Sequence, residues 1–269
     1  MQLTVLGTPC YAYTGGKAFD AALPVVVFLH GAELDHSVWA LQSRYLAHHD
    51  YAVLAVDLPG HGRSGGAPPA SVEALADWVA ALLDAAGVGA ATLVGHSMGS
   101  LIALEAAARH PGRVERLVLV STAFPMKVAT PLLDATRDEE PRAQGMVNAW
   151  SHAQLAPYPG NPGPGFSVSG SNLRLMQRQK PGVMHADFAA CNNYATGLAS
   201  AAKVQCPTLL LLGQRDVMTP PRAARDLAAA LKGAWVHTSP NAGHNLMGEA
   251  PDEVLDTLRS FLSEQRKAA

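Results

Sequence analysis

Between the strand-like run Thr92-Leu93-Val94 and the alanine-rich helical run from Leu101 to Ala108 lies Gly95-His96-Ser97-Met98-Gly99, the stretch that most restricts how this chain can fold. A strand must become a helix there with no loop between them. The corner residue is therefore held in a strained backbone conformation and its side chain projects from the sheet. Glycine two residues to either side removes the Cβ atoms that would collide where strand and helix nearly touch. In this context the pattern makes Ser97 a candidate nucleophile, with the backbone N–H of Met98 turned toward its hydroxyl.

A serine presented in this way needs a sheet to project from, and the rest of the chain supplies one. Val25-Val26-Val27-Phe28-Leu29, Tyr51 to Val56, Arg116 to Ser121 and Thr208 to Leu212 have the apolar centres of parallel strands buried on both faces. Leu3 to Val5 and Tyr11 to Tyr13, separated by Gly7-Thr8-Pro9, suggest an opening hairpin, and Ala234 to Thr238 a last strand. Helical spacing runs from Ser37 to His48, with Val38, Leu41, Tyr45 and Leu46 along one side. It recurs from an N-cap at Ser71 through Leu75, Trp78, Val79, Leu82, Leu83 and Ala86 to a stop at Gly87, then over Pro221 to Leu231 and Pro251 to Leu262. About eight strands alternating with helices predict an α/β fold with a mostly parallel sheet. From Ala123 to about Lys203 the alternation stops, and short helices such as Leu132 to Ala149 and Leu173 to Gln179 are joined by irregular, proline- and glycine-rich chain. Residues 1–122 and 204–269 are thus expected to form a core domain, and residues 123–203 a mainly helical insertion.

A serine hydroxyl is a weak nucleophile until a base takes its proton, so Ser97 calls for an imidazole and for a group that orients it. Asp216, in Gly213-Gln214-Arg215-Asp216, and His244, in Asn241-Ala242-Gly243-His244, each follow a strand directly. One helix and one strand separate them, so neighbouring parallel strands bring both to the rim where Ser97 projects. Asp57 also ends a strand and could be the acid. The chain order serine, aspartate, histidine resembles that of the α/β-hydrolase superfamily, as do His30-Gly31-Ala32 and Asp57-Leu58-Pro59-Gly60-His61-Gly62-Arg63-Ser64. By that resemblance the Asp57 loop is a structural turn of the family, where a carboxylate caps local amides. The resemblance covers the chain apart from the insertion. It implies an α/β-hydrolase fold, a catalytic Ser97, Asp216 and His244, oxyanion-hole amides at Ala32 and Met98, and a cap formed by the insertion. Pre-aimed backbone donors suit the charge that a tetrahedral intermediate places on oxygen.

Serine at the elbow, where family members that open epoxides or remove halide carry aspartate, points to ester hydrolysis through an acyl-enzyme. The stretch His36-Ser37-Val38-Trp39 resembles enol-lactonases and haloperoxidase-like esterases, and a lactone is a cyclic ester. Family members that cleave carbon–carbon bonds of diketones commonly carry Trp after the histidine, whereas Asn245 follows His244 here. A non-catalytic receptor on the same fold is the alternative outside enzymology, and the complete set Ser97, Asp216 and His244 disfavours it. His30 beside the site, and Phe124, Trp150, Tyr158 and Tyr194 in the insertion, are candidates for substrate contact, with Phe166 and Phe188 as further aromatics. Core packing is the competing role for most of them. Arg174, Arg178 and Lys180 could meet an acidic lactone or form a solvated helix face.

Composition narrows the partners. With 20 basic and 22 acidic residues giving a net charge of −2, no basic stripe recommends nucleic acid or an anionic membrane, which leaves a small-molecule ester or lactone. Three scattered cysteines fit packing thiols in a reducing compartment, and with no signal-like start or membrane-length apolar run the expectation is a soluble, cytoplasmic protein. His48-His49 has no partner at a ligand spacing, so no metal or cofactor is expected. Nothing in the residues selects an oligomeric state.

Overall fold

Val25–Leu29 and Ala52–Val56 are buried at every position, so alternate side chains of each strand must find apolar partners on opposite faces of a sheet. The structure, a computed structural model, describes residues 1–153 and 167–264. Its first half runs β1 (Gln2–Val5), β2 (Thr8–Tyr13), β3 (Val25–Leu29), α1 (Ala40–Ala47), β4 (Ala52–Val56), α2 (Val72–Ala85), β5 (Ala91–His96), α3 (Met98–Arg109) and β6 (Val114–Val120). The helices α4 (Thr130–Asp138), α5 (Glu140–Trp150), α6 (Val168–Met176), α7 (Val183–Asn193) and α8 (Gly197–Ala201) lie between β6 and β7 (Thr208–Gly213). After them come α9 (Arg225–Ala230), β8 (Trp235–Ser239), α10 (Leu246–Glu249) and α11 (Pro251–Glu264). Among the described residues the strands form an 8-stranded sheet in the order β1-β2-β4-β3-β5-β6-β7-β8. Only the β1–β2 and β2–β4 pairs are antiparallel; the remaining pairs are parallel.

The two faces sort by residue parity, as strand geometry requires. Val25, Val27 and Leu29 pack with the α2 and α3 side chains Leu75, Leu82 and Leu101, whereas Val26 and Phe28 pack with Leu46 of α1 and Leu258 and Phe261 of α11. A third apolar cluster joins Leu34 in the loop after β3 to Leu132, Val147, Met184 and Phe188 of the helices between β6 and β7. Those helices therefore pack against the carboxyl end of the sheet, where the strands deliver their loops. Among the described residues no helix is long and apolar enough to cross a membrane.

Several expected boundaries shift for identifiable reasons. The hairpin turns at Leu6 and Gly7, both at positive φ, and Thr8 and Pro9 already pair with Val5 and Thr4. The segment from Ser37 to His48 begins as a 3₁₀ turn over His36–Trp39, capped by the Asp35 carboxylate on the Ser37 N–H. Three residues per turn rotate the buried stripe, so Trp39 packs on Phe28 with ring centroids 5.0 Å apart and Leu41 is left 61% exposed. The helix expected over Leu132 to Ala149 is broken at Glu139, whose backbone leaves the helical region two residues before Pro141. A proline in the first turn of α5 can start a helix but cannot continue one. The helix expected from Leu173 starts earlier, where the Ser167 hydroxyl accepts the Gly170 N–H. The caps at Ser71 and Gly87 stand where the sequence puts them, Ser71 accepting the Ala74 N–H at 3.2 Å and Gly87 at φ 68°.

Candidate active site

Ser97 joins β5 to α3 with φ 52° and ψ −118°, a left-handed strain that a non-glycine residue adopts only when its surroundings impose it. The imposing contacts are backbone atoms. A Cβ on Gly95 would lie 2.0 Å from the Gly99 carbonyl oxygen, and one on Gly99 would lie 2.4 Å from that of Leu29. Strand, helix and the end of β3 thus touch backbone to backbone, and the serine is the vertex. Gly31 completes the enclosure, since a Cβ there would meet His96 Nδ1 at 2.7 Å and the Ser97 Cβ at 3.3 Å. The loop carrying Ala32 is in this way pressed against the elbow.

Asp216 and His244 leave the ends of β7 and β8, which are paired in parallel register up to Gly213 and Ser239. A Cβ on Gly213 would lie 2.3 Å from the Gly243 carbonyl oxygen, so the two loops are in contact at their bases. His244 Nδ1 stands 2.8 Å from Asp216 Oδ2. A carboxylate opposite Nδ1 fixes the proton on that nitrogen and leaves Nε2 as the acceptor. Asp216 Oδ1 accepts the N–H groups of Met218 and Thr219, each at 2.8 Å. The Thr219 hydroxyl, 2.6 Å from Asp216 Oδ2 and 3.0 Å from His244 Nδ1, bridges the pair. Burial alone would push the Asp216 carboxyl up, but the His244 imidazole and the Thr219 hydrogen bonds outweigh it and hold the group at about 2. The His244 carbonyl accepts from His96 Nε2 and from the Ser121 hydroxyl, both at 2.9 Å, which anchors the backbone as well as the ring.

Ser97, Ala32, His96 and His244 line one small cavity of about 30 Å³, whose wall also includes Met176 and Phe188. Ser97 and His244 also line a second space of about 230 Å³ walled by Leu132, Trp150, Phe188 and Met218. A groove of about 870 Å³, which carries Arg174 and Arg178, shares Asn172 and Asn245 with the small cavity.

The other predicted contacts divide. Trp150 reaches the second space and Phe188 borders both. His30 does not line these spaces: it is fully buried, donates from Nδ1 to the Gly31 carbonyl at 2.8 Å and accepts the Leu58 N–H on Nε2 at 3.0 Å. Burial, with His61 beside it, lowers it to about 4. His30 therefore ties two loops together and offers no free nitrogen to a substrate. Tyr194 and Phe124 are likewise drawn into packing, their rings edge to face at 5.8 Å, and the Tyr194 hydroxyl donates to Glu105 at 2.7 Å. Their aromatic surface is more useful against α3 and α8 than in a pocket. Tyr158 and Phe166 lie outside the described residues. Asp57 caps amides as its loop suggests, accepting the N–H groups of His36 and Arg63 and the His36 ring. Asp35, His36 and Asp57 bring three potential metal-ligand atoms within 4.8 Å of one another, but hydrogen bonds with one another and with Ser37 and Arg63 occupy them.

Sequence reasoning did not single out Thr219, Glu33 or Asp187. Thr219 follows Asp216 by three residues, the spacing at which a hydroxyl can turn back on a carboxylate, so a local signal existed. Glu33 and Asp187 meet across 154 residues, which no local pattern announces.

The family defined by the α/β hydrolase fold matches residues 24–251 of the chain. The chain is 34% identical over 228 residues to a pimeloyl-[acyl-carrier protein] methyl ester esterase of Chromobacterium violaceum, covering 82% of this chain and 87% of that one. It is 28% identical over 264 residues to the sn-1-specific diacylglycerol lipase ABHD11 of Mus musculus, covering 91% and 82% respectively. The enol-lactonase from Burkholderia xenovorans LB400 superposes with a TM-score of 0.84 at 25% identity, over 98% of this chain and 100% of that one. A matching family over most of the chain, a strained serine between strand and helix, and an aspartate–histidine pair on neighbouring strands lead to one conclusion: the chain belongs to the α/β-hydrolase family.

Proposed function

We propose that this protein is a serine hydrolase that cleaves a carboxylic ester of a small molecule through an acyl-enzyme. Ser97 is the nucleophile, His244 the base, Asp216 the group that holds the imidazole, and the Ala32 and Met98 N–H groups are the oxyanion donors. His244 Nε2 takes the serine proton as Oγ attacks the carbonyl carbon, and the imidazolium passes that proton to the leaving alkoxide. The two amides meet the charge that develops on the carbonyl oxygen. Water, deprotonated by His244, then attacks the acyl-enzyme, and the acid leaves as Ser97 regains its proton.

The observation that carries this reading is the 2.8 Å contact of His244 Nδ1 with a carboxylate held at about 2, beside a serine lining the same cavity. The methyl ester esterase, the diacylglycerol lipase and the enol-lactonase have a carboxylic ester in common, cyclic in the last case. Lactone hydrolysis is the second reading, favoured by the enol-lactonase likeness and by Arg174 and Arg178 on the groove next to the cavity. Residues 123–203 act as a cap over the site, a role supported by the walls that Leu132, Trp150 and Phe188 give the second space. The free thiols of Cys10, Cys191 and Cys206 support a cytoplasmic location.

The test is hydrolysis of p-nitrophenyl butyrate at neutral pH by the protein and by its Ser97→Ala variant. Turnover abolished in the variant is the expected result. Equal turnover by both would overturn the serine mechanism, and a matched series of lactones separates the two substrate readings.

A further inference from the structure

Ala32 is held between two fixed neighbours. Gly31 is pressed against His96 and Ser97, and Glu33 adopts φ 56° with its side chain buried. The Glu33 N–H donates to Asp187 Oδ2 at 2.8 Å, so the peptide that follows Ala32 is pinned by a carboxylate on α7, a helix of the insertion. Asp187 is itself held. Its Oδ2 lies 2.8 Å from His61 Nε2, and His61 Nδ1 lies 3.1 Å from the Pro59 carbonyl oxygen. Both ring nitrogens of His61 face oxygens, and Asp187 with the Pro59 carbonyl raises the imidazole above its ordinary value against the effect of burial. Asp187 and His61 are 2% and 1% exposed, and the one oxygen Asp187 Oδ2 meets both the His61 ring and the Glu33 N–H. A second tether comes from α5, where Gln144 Nε2 donates to Glu33 Oε1 at 2.7 Å.

We propose that Asp187 is a positioning residue for the oxyanion hole: through the Glu33 peptide, the insertion aims the Ala32 amide at the carbonyl oxygen of the substrate. This rests on the assignment of Ala32 as an oxyanion donor. A pair serving only to dock the insertion could bond side chains or surface backbone anywhere on the core. This one instead bonds the residue next to the donor. Any movement of α7 is transmitted to the amide, so the insertion both encloses the substrate and completes the machinery that stabilises its transition state.

The test compares the intact protein with its Asp187→Ala and Asp187→Asn variants on p-nitrophenyl butyrate, together with inhibition by butylboronic acid and by butyramide. The boronate forms a tetrahedral adduct that places oxygen in the hole; the amide does not. Loss of one oxyanion donor costs about 100- to 1,000-fold in kcat, and a mis-aimed donor a part of that. The expected result for Asp187→Ala is a fall in kcat of about 30-fold or more with KM within about 2-fold, and a parallel weakening of boronate but not butyramide inhibition. Asp187→Asn, which retains an acceptor for the Glu33 N–H, recovers a substantial part of kcat. A kcat within about 3-fold of the parent in Asp187→Ala, or equal weakening of both inhibitors, overturns the proposal. Should the alanine variant fail to fold, the double variant Asp187→Leu/His61→Leu, which replaces the buried pair by apolar groups and leaves the Glu33 N–H without its acceptor, is read with the same two inhibitors and the same thresholds. Ser97→Ala in the same assay separates the two levels. Activity retained there overturns the serine mechanism, whereas activity lost there and kept in Asp187→Ala overturns only the role of Asp187.

Discussion

Glu33 is a buried carboxyl acted on by two other carboxyls, Glu140 and Asp187. Burial raises it, the Gln144 hydrogen bond opposes this, Glu140 and Asp187 add to the rise, and together they bring it to about 8. The sign of the consequence follows from linkage. A carboxyl that ionises near 4.5 when unfolded and near 8 when folded retains a proton that the unfolded chain releases, so stability falls as pH rises between those values. Glutamine removes the titration while keeping the shape and the acceptor for Gln144. The melting temperature of Glu33→Gln should therefore exceed that of the parent by a margin that widens from pH 5 to pH 8, measured by calorimetry. A margin independent of pH would show that Glu33 is not the group responsible. Asp216 is the opposite case, a carboxyl stabilised in its charged form by partners built to receive it. Its place at the end of a strand and its order between Ser97 and His244 were legible in the sequence, whereas the surroundings of Glu33 were not.

At the scale of elements, the elbow is a contact between backbones, and its tolerance is set by atoms that cannot move aside. A Cβ on Gly95, 2.0 Å from the Gly99 carbonyl oxygen, has to push β5 and α3 apart. Both elements pack into the central apolar layer through Leu93 and Leu101. Gly95→Ala should cost at least about 3 kcal/mol of unfolding free energy, beyond the range of ordinary surface changes. Urea denaturation checks this, and a loss below about 1 kcal/mol would mean that the elbow yields more readily than its geometry implies. The break between α4 and α5 has a local signal at Pro141, which the helix expected over Leu132 to Ala149 passed over. The 3₁₀ start before α1 was less legible, because Val38, Leu41, Tyr45 and Leu46 fit an α-helical stripe while Asp35 and Trp39 set a different rotation.

Across the whole molecule, among the described residues, the helices between β6 and β7 meet the core through polar bridges and through two apolar clusters, one around Leu34 and Phe188 and one in which Cys191, Tyr194 and Ala201 join the layer of α3. Besides Asp187, the Glu249 carboxylate accepts the N–H groups of Ala153 and Gly243, joining the end of α5 to the residue before His244 at 2.7 and 2.8 Å. Phe188 lines both the small cavity at Ser97 and the larger space that Trp150 borders. Phe188→Ala should merge them and shift the preferred acyl chain of p-nitrophenyl esters toward greater length, with octanoate gaining on butyrate in kcat/KM. An unchanged chain-length profile would place the acyl group elsewhere, in the groove beside Asn172 and Asn245.

The sequence by itself determined everything that depends on neighbours in the chain. Apolar runs required strands buried on both faces, glycines at positions 95 and 99 permitted a serine vertex, and Asp216 and His244 each followed a strand that parallel pairing would align. Tertiary structure decided which side chains face the serine and which only support the fold. His30, Phe124 and Tyr194 were candidates by sequence, yet His30 and the Tyr194 hydroxyl are taken up by the hydrogen bonds that buried polar groups must make, and the Phe124 ring packs on Tyr194. Asp187 and Glu33, unmarked by any motif, meet at the loop after β3 because α7 packs on that loop at the carboxyl end of the sheet. Local pattern reports backbone conformation and burial; the pairing of groups far apart in the chain is fixed only when the layers pack.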